Sequence, residues 1–376
     1  MGVAGRLVIG ASSIALLLAA CSGPSSDAPA TGAAPTTKSA AAPFEPKVVL
    51  VTFDGARWED VFRGADPALV AADVDEDLKE EVTKAFEEVP NRGAALMPFL
   101  HDVMGAKGVL IGDRDIGECA RTENDMWFSY PGYSEILAGK PNPAILENDP
   151  IPNADVTVLE WANKAPALAG KVDMVGTWTL FPYIVNADRA GVPVNEAFHG
   201  KHPTDVRTSR AGFEVLEEKK PRLLYIAFGD TDEFAHLGDY DAYLAALERG
   251  DEYLRLLWEK LQADPYYRDQ TTLIVSTDHG RGHEPLEAWR DHSSPRYHAL
   301  YPDYQPEYNG TGIVGSDAIW VAAMGPAVDK DGASKYKGGD CALQAQIAKS
   351  VIVALGGDPA TFTPDAAAPF AFIKKP

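Results

Sequence analysis

Between residues 47 and 376 the chain alternates two kinds of segment. The first is a short run, apolar nearly throughout, that ends on a carboxylate or a glycine: residues 47–55 (KVVLVTFDG), 222–232 (RLLYIAFGDTD) and 271–280 (TTLIVSTDHG). Runs without a polar face fit strands buried on both sides of a parallel sheet. Residues 108–112, 172–176 and 318–323 are weaker runs of the same form. The second kind carries apolar residues at helical spacing. Residues 239–262 place Tyr243, Leu244, Leu247, Tyr253, Leu254, Leu257, Trp258 and Leu261 in that rhythm, and residues 340–355 repeat it before Gly356 and Gly357. Asn91, Pro98 and Phe99 lead into a further helix (MPFLHDVM) that reads as core packing.

This alternation predicts an α/β fold, with a mostly parallel central sheet flanked by helices on both faces. Ligands of such sheets sit outside the carboxyl ends of the strands. Here three strands deliver Asp, Asp and Asp-His to that edge. Residues 180–220 and 281–312 are rich in Pro, Gly and His without a period, and read as loops or a cap over the site. One domain over 47–376, with inserted cap segments at about 57–130 and 180–220, accommodates all of this.

The first 21 residues change the picture of location. Arg6 precedes an apolar run ending Leu18-Ala19-Ala20-Cys21, too short for the ~20 residues of a spanning helix and typical of a signal segment. The ending resembles a bacterial lipobox, which implies lipidation at Cys21 and a position at the cell envelope, with Ser22 fitting outer-membrane sorting. Residues 22–46, built from Ser, Ala, Pro, Gly and Thr, read as a flexible tether. The membrane is then met through the lipid alone. A net charge of −21 disfavours nucleic acid as the main partner, while a small phosphate ester held by local metal charge remains compatible. Cys119 and Cys341 are either a disulfide in an oxidising compartment or two buried thiols.

The candidate chemistry rests on Asp54, Asp232, His236, Asp278 and His279. Asp232 and His236 are four residues apart and share one face of a helical turn, where they can grip one ion. Asp278 and His279 sit together at a strand end. Hydrolysis of a phosphate or sulfate ester needs charge neutralisation and an activated nucleophile, which two divalent ions ~3.5–4 Å apart supply. Mixed carboxylate and imidazole ligation suits zinc, with manganese or iron also suited.

The order Phe53-Asp54-Gly55, Asp232-x-x-x-His236, Thr277-Asp278-His279-Gly280 resembles the alkaline phosphatase superfamily, nearest its nucleotide pyrophosphatase/phosphodiesterase and phosphoglycerate-mutase-like branches. The resemblance implies a metal-dependent phosphate mono- or diesterase. It implies one metal on Asp54, Asp278 and His279 and another on Asp232 and His236. It also implies a hydroxyl nucleophile at a helix N-terminus after a Pro-containing turn, in the segment SYPGYSEILAG. Ser134 fits by its chemistry if the turn is one residue shorter than in relatives; ungapped, Ser129 takes the preceding position and Glu135 falls on the nucleophile. Asn309 stands where relatives carry a last metal histidine, with His283, His292 and His298 as alternative donors. Arg281 is placed either to clamp a substrate oxyanion or to face solvent. No Cys/Ser-x-Pro-x-Arg signature of formylglycine sulfatases occurs at residues 119–140. A degenerate phosphate- or glycan-binding protein and a phosphotransferase are the competing readings.

Overall fold

The computed structural model describes residues 44–194 and 204–376; the signal segment, Cys21 and the tether up to residue 43 lie outside the described residues. Strand β1 (Lys47–Phe53) is buried at every position and lies at the centre of a six-stranded sheet. Its neighbours are β5 (Leu223–Phe228) and β6 (Thr271–Thr277), both parallel to it, and β4 (Val172–Gly176) lies parallel beyond β5. On the other side β7 (Val321–Met324) runs antiparallel to β6, and β2 (Val109–Ile111) closes that edge antiparallel to β7. A separate two-stranded pair joins β3 (Ala120–Arg121) and β8 (Ala342–Leu343).

Alternate residues of β1 feed two different cores. Val48 and Leu50 point into one with Ile136, Leu137, Val351 and Ile352, so the helices Ser129–Ala138 and Gln346–Ala354 cover that face. Val49, Val51 and Phe53 point into the other with Leu100, Leu247, Leu254 and Leu261, beneath the helix Tyr240–Ala263. A strand covered on both faces has no polar side to show, which is why the sequence reads as a continuous apolar run. In the second core Asp251 projects from mid-helix and accepts the backbone N–H groups of Phe99 and Leu100, each at 2.8 Å. It thereby caps the helical segment Phe99–Gly105.

Two sequence expectations change. Residues 340–355 are not one helix: 342–343 form β8, and the helix begins at Gln346. Pairing with β3 and the Cys119–Cys341 disulfide hold the first part extended. The late strand starts at Val321 rather than 318. The expected insert at 57–130 contributes β2 to the central sheet and Leu69, Leu96 and Leu100 to the core. No helix among the described residues is long and apolar enough to cross a membrane.

Candidate metal centre and active site

The carboxyl ends of β1, β5 and β6 open on one edge, and the residues just beyond them converge there. Two groups of ligand-type side chains lie side by side: Asp54, Asp278 and His279, and Asp232, His236 and His292. His279 Nε2 is 3.2 Å from Asp54 Oδ1 and 3.9 Å from Asp232 Oδ1, so it stands at the border of the two. His236 Nε2 and His292 Nε2 are 3.1 Å apart.

Each side chain is aimed by a neighbour. Tyr133 donates its hydroxyl hydrogen to Asp54 Oδ2 at 2.9 Å. The Gly55 N–H donates to Asp278 Oδ1 at 3.0 Å. His279 Nδ1 meets the Gly280 carbonyl at 2.9 Å and His292 Nδ1 the Trp127 carbonyl at 3.3 Å, which turns both Nε2 atoms toward the centre. Gly55 adopts φ +58°, and a Cβ there would lie 2.9 Å from Asp232 Oδ1 and 3.0 Å from His279 Cε1. Only glycine lets β1 turn so close to both groups.

The electrostatics call for positive charge. Burial pushes the Asp278 carboxyl well above the usual carboxylate range, and the neighbouring charges of Asp54 and Asp232 push it further. Asp54 is raised for the same reasons, burial first and then Asp232. Asp278 Oδ2 is buried and has no hydrogen-bond partner. A buried carboxylate oxygen without a donor is costly, and a divalent cation between these groups would satisfy it. The donor set therefore fits metal ions, with the first group suited to one and the second to another. Burial, then the adjacent His279, holds His292 well below the ordinary imidazole range, so it is neutral and able to ligate.

The geometry places several candidate residues differently from the sequence expectation. Ser134 is fully buried behind the site, and its hydroxyl accepts from Asn153 Nδ2 at 3.0 Å. Ser129 faces the centre instead: its Oγ lies 3.5 Å from Asp54 Oδ1 and 3.4 Å from His279 Nε2. The reason is where the helix starts. Pro131 lies in the first turn of Ser129–Ala138, where its missing N–H is not needed, so the helix begins before the Pro rather than after it. Glu135 faces away, accepting the N–H groups of Glu123, Asn124 and Ala345.

Asn309 is exposed and donates to the Pro302 carbonyl at 3.0 Å, away from the cluster. His292 stands beside Asp232 and His236 in its place. Of the other two loop histidines, His298 is buried against Ser293 Oγ at 2.7 Å, and His283 sits 3.8 Å from Glu59. Arg281 does not face solvent. It is buried, donates to the carbonyls of Gly55, Arg290 and Asp232, and ion-pairs with the Asp232 carboxylate. Burial alone would raise Asp232, but Arg281, His236 and His292 together hold it well below the ordinary range.

The cluster forms the floor of an open cavity of about 820 Å³ that Ser129, Asn148, Trp178 and Tyr297 also line. Asn148 was not singled out from sequence. Its Oδ1 accepts the Tyr130 N–H at 3.0 Å, which fixes the amide beside the helix N-terminus.

The family model described as "Type I phosphodiesterase / nucleotide pyrophosphatase" matches residues 126–295, a span holding Ser129, Asp232, His236, Asp278, His279 and His292. The fold is similar to murine ectonucleotide pyrophosphatase/phosphodiesterase 5, solved in an inactive form in complex with AMP. That match has 14% identity and a TM-score of 0.51, covering 85% of this chain and 97% of that one. It is also similar to the 2-O GAG sulfatase BT1596 (10% identity, TM-score 0.53, covering 86% and 73%). A third similar structure is a putative sulfatase from Bacteroides thetaiotaomicron (10% identity, TM-score 0.53, covering 87% and 74%). No curated protein sequence matches the chain. The family model supports hydrolysis of the phosphoester type in general, and the structural matches show the fold.

Proposed function

The chain is a member of the alkaline phosphatase superfamily, and from that premise we propose that it hydrolyses phosphate esters with Ser129 as nucleophile. The observation that carries this reading is the position of the Ser129 hydroxyl at the N-terminus of a ten-residue helix, within 3.5 Å of both Asp54 and His279. Phe128 provides no side-chain cap for that helix. The Tyr130 N–H there donates to Asn148 and Pro131 has none, so the Ser129 N–H and the helix dipole are what favour an anion at this start.

Asp54, Asp278 and His279 would hold one divalent cation, and Asp232, His236 and His292 the other. Bound there, the cations would neutralise the phosphoryl oxygens and lower the pKa of a hydroxyl or water. Zinc suits the donor set best. Ser129 Oγ would form a bond to phosphorus as the leaving alcohol departs with its electron pair, and water would then cleave the Ser129–phosphate bond. Asn148, its carbonyl oxygen engaged by Tyr130, presents amide hydrogens as donors to a phosphoryl oxygen. Tyr133 and Thr231 hold Asp54 through its carboxylate and its carbonyl, and so keep the floor rigid.

The features that would favour a degenerate binding protein, a displaced nucleophile and a missing histidine, are both met by other residues, Ser129 and His292. The reading extends to location, at the cell envelope with a lipid on Cys21. The sequence pattern supports it, and so does the Cys119–Cys341 disulfide, a bond suited to an oxidising compartment.

The test is a pair of variants assayed on p-nitrophenyl phosphate and bis-p-nitrophenyl phosphate, with metal content measured on each. Ser129→Ala should abolish turnover while keeping its metal, and Ser134→Ala should keep most of the native rate. The opposite pattern would overturn the assignment.

A further inference from the structure

Strand β6 ends at Thr277, and the two residues just beyond it, Asp278 and His279, belong to the first ligand group. A side chain from a distant segment holds the chain there. Gln344 is fully buried, and its amide donates to the Thr277 carbonyl at 3.1 Å and to the Asp278 carbonyl at 2.6 Å. These carbonyls belong to the two peptide planes that flank the Asp278 Cα. Each plane is rigid, so fixing both oxygens fixes the backbone from which the Asp278 carboxylate and the His279 ring project.

The Asp278 carbonyl is confined from a second side. A Cβ at Gly132 would lie 2.4 Å from that oxygen, so the helix carrying Ser129 rests directly on it. Gln344 is held in turn. Its N–H donates to the Arg121 carbonyl at 3.0 Å, and the Cys119–Cys341 disulfide ties the residue before β8 to the residue before β3. The next residue, Ala345, donates its N–H to Glu135 on the Ser129 helix at 3.2 Å. One short segment, 341–345, thus joins the strand end that presents the ligands to the helix that presents the hydroxyl.

The amide is a poor choice for packing alone. Gln344 Oε1 is buried without a hydrogen-bond partner among the described residues, a cost that an apolar side chain of equal length would avoid. The two donated hydrogen bonds offset it.

Resting on the metal-dependent hydrolase reading above, we infer that Gln344 is a positioning residue for the metal centre. It sets Asp278 and His279 against Asp54 by holding their backbone, and acts through that backbone rather than on the substrate.

The experiment measures zinc binding to the metal-free full chain, by competition with a chromophoric chelator, in Gln344→Met and Asn163→Leu. Met keeps the length of Gln and removes both donors. Asn163, half-buried on the helix Val158–Lys164, also donates to two consecutive carbonyls, those of Ala190 and Gly191, at 3.0 and 2.8 Å. Its loss removes the same kind of bond away from the ligand groups. Partners that orient metal ligands are worth about 10–100-fold in metal affinity. Gln344→Met is therefore expected to weaken zinc binding by about tenfold or more and to shift the visible absorption bands of the cobalt-substituted protein. Asn163→Leu should leave both unchanged, whatever its effect on Tm. If Gln344→Met does not fold, Gln344→Asn, whose amide ends one methylene short of the carbonyls, carries the same expectation. Native zinc affinity and cobalt spectrum in the Gln344 variant, or equal weakening in Asn163→Leu, would overturn the inference and leave the hydrolase reading standing. A native chain that binds zinc yet turns over no phosphate ester would remove the hydrolase reading, while the zinc comparison still decides the role of Gln344. A native chain that binds no zinc would remove both.

Discussion

Replacing Gly55 by alanine tests whether the two ligand groups depend on one tight turn. Gly55 has φ +58°, and its added Cβ would lie 2.9 Å from Arg281 Nε, 2.9 Å from Asp232 Oδ1 and 3.0 Å from His279 Cε1. A left-handed conformation costs a residue with a Cβ about 1 kcal/mol or more. Relieving three contacts this short adds the overpacking cost of about 1–3 kcal/mol. Normal separation requires Asp232 and His279 each to move by roughly half an ångström, and positioning errors approaching 1 Å cost catalysis about 100-fold. Gly117→Ala is the control, since Gly117 has φ +78° and nothing within 4 Å of an added Cβ. It carries the backbone cost alone. Thermal melts and kcat/KM on bis-p-nitrophenyl phosphate should show both variants destabilised, Gly55→Ala the more so, with a large activity loss confined to Gly55→Ala. Matching activity in the two variants would refute the argument that Gly55 sets the spacing of the ligand groups.

Two further outcomes follow from the described geometry. His292→Ala should lose about one metal per chain by elemental analysis, whereas Asn309→Ala should keep the native content; the reverse would restore Asn309 as a ligand. Glu135, pushed up to about 7 by burial against its backbone and Asn124 hydrogen bonds, binds a proton more tightly folded than unfolded. Its contribution to stability is therefore present below its ordinary value of 4.5 and is lost as pH rises toward 7, by up to about 3 kcal/mol. Denaturant midpoints of chelator-treated protein should be higher at pH 5 than at pH 7.5, with a smaller difference in Glu135→Gln; an unchanged difference would exclude Glu135 as the source.

The candidate residues that the structure brings together as the sequence suggests are those whose direction is fixed by local geometry. Asp54, Asp278 and His279 follow continuous apolar strands, so their delivery to the sheet edge was visible. Asp232 and His236 share a face because of helical spacing. The sequence favours Ser134 over Ser129 only when the Tyr-Pro pair is read as a turn before the helix. The tolerance of a first-turn proline was the signal that could have identified it. His292 lies in an irregular loop, where no period says which of three histidines turns inward. Arg281 lies two residues beyond His279, yet its partners, Gly55, Arg290 and Asp232, are set by tertiary contacts that spacing does not encode.

The central place of β1 also bears on how the chain reaches its folded state. It comes first among the strands, yet Val48 pairs only with Leu223 on one side and Thr272 on the other. Until residues of β5 have been made, the run KVVLVTF has no partner strand, and β6 comes later still. A largely apolar, β-branched run left waiting is prone to pair with another chain, and folding that depends on such distant contacts is slow. The interval before β5 and β6 exist is therefore when this run is most open to pairing with another chain.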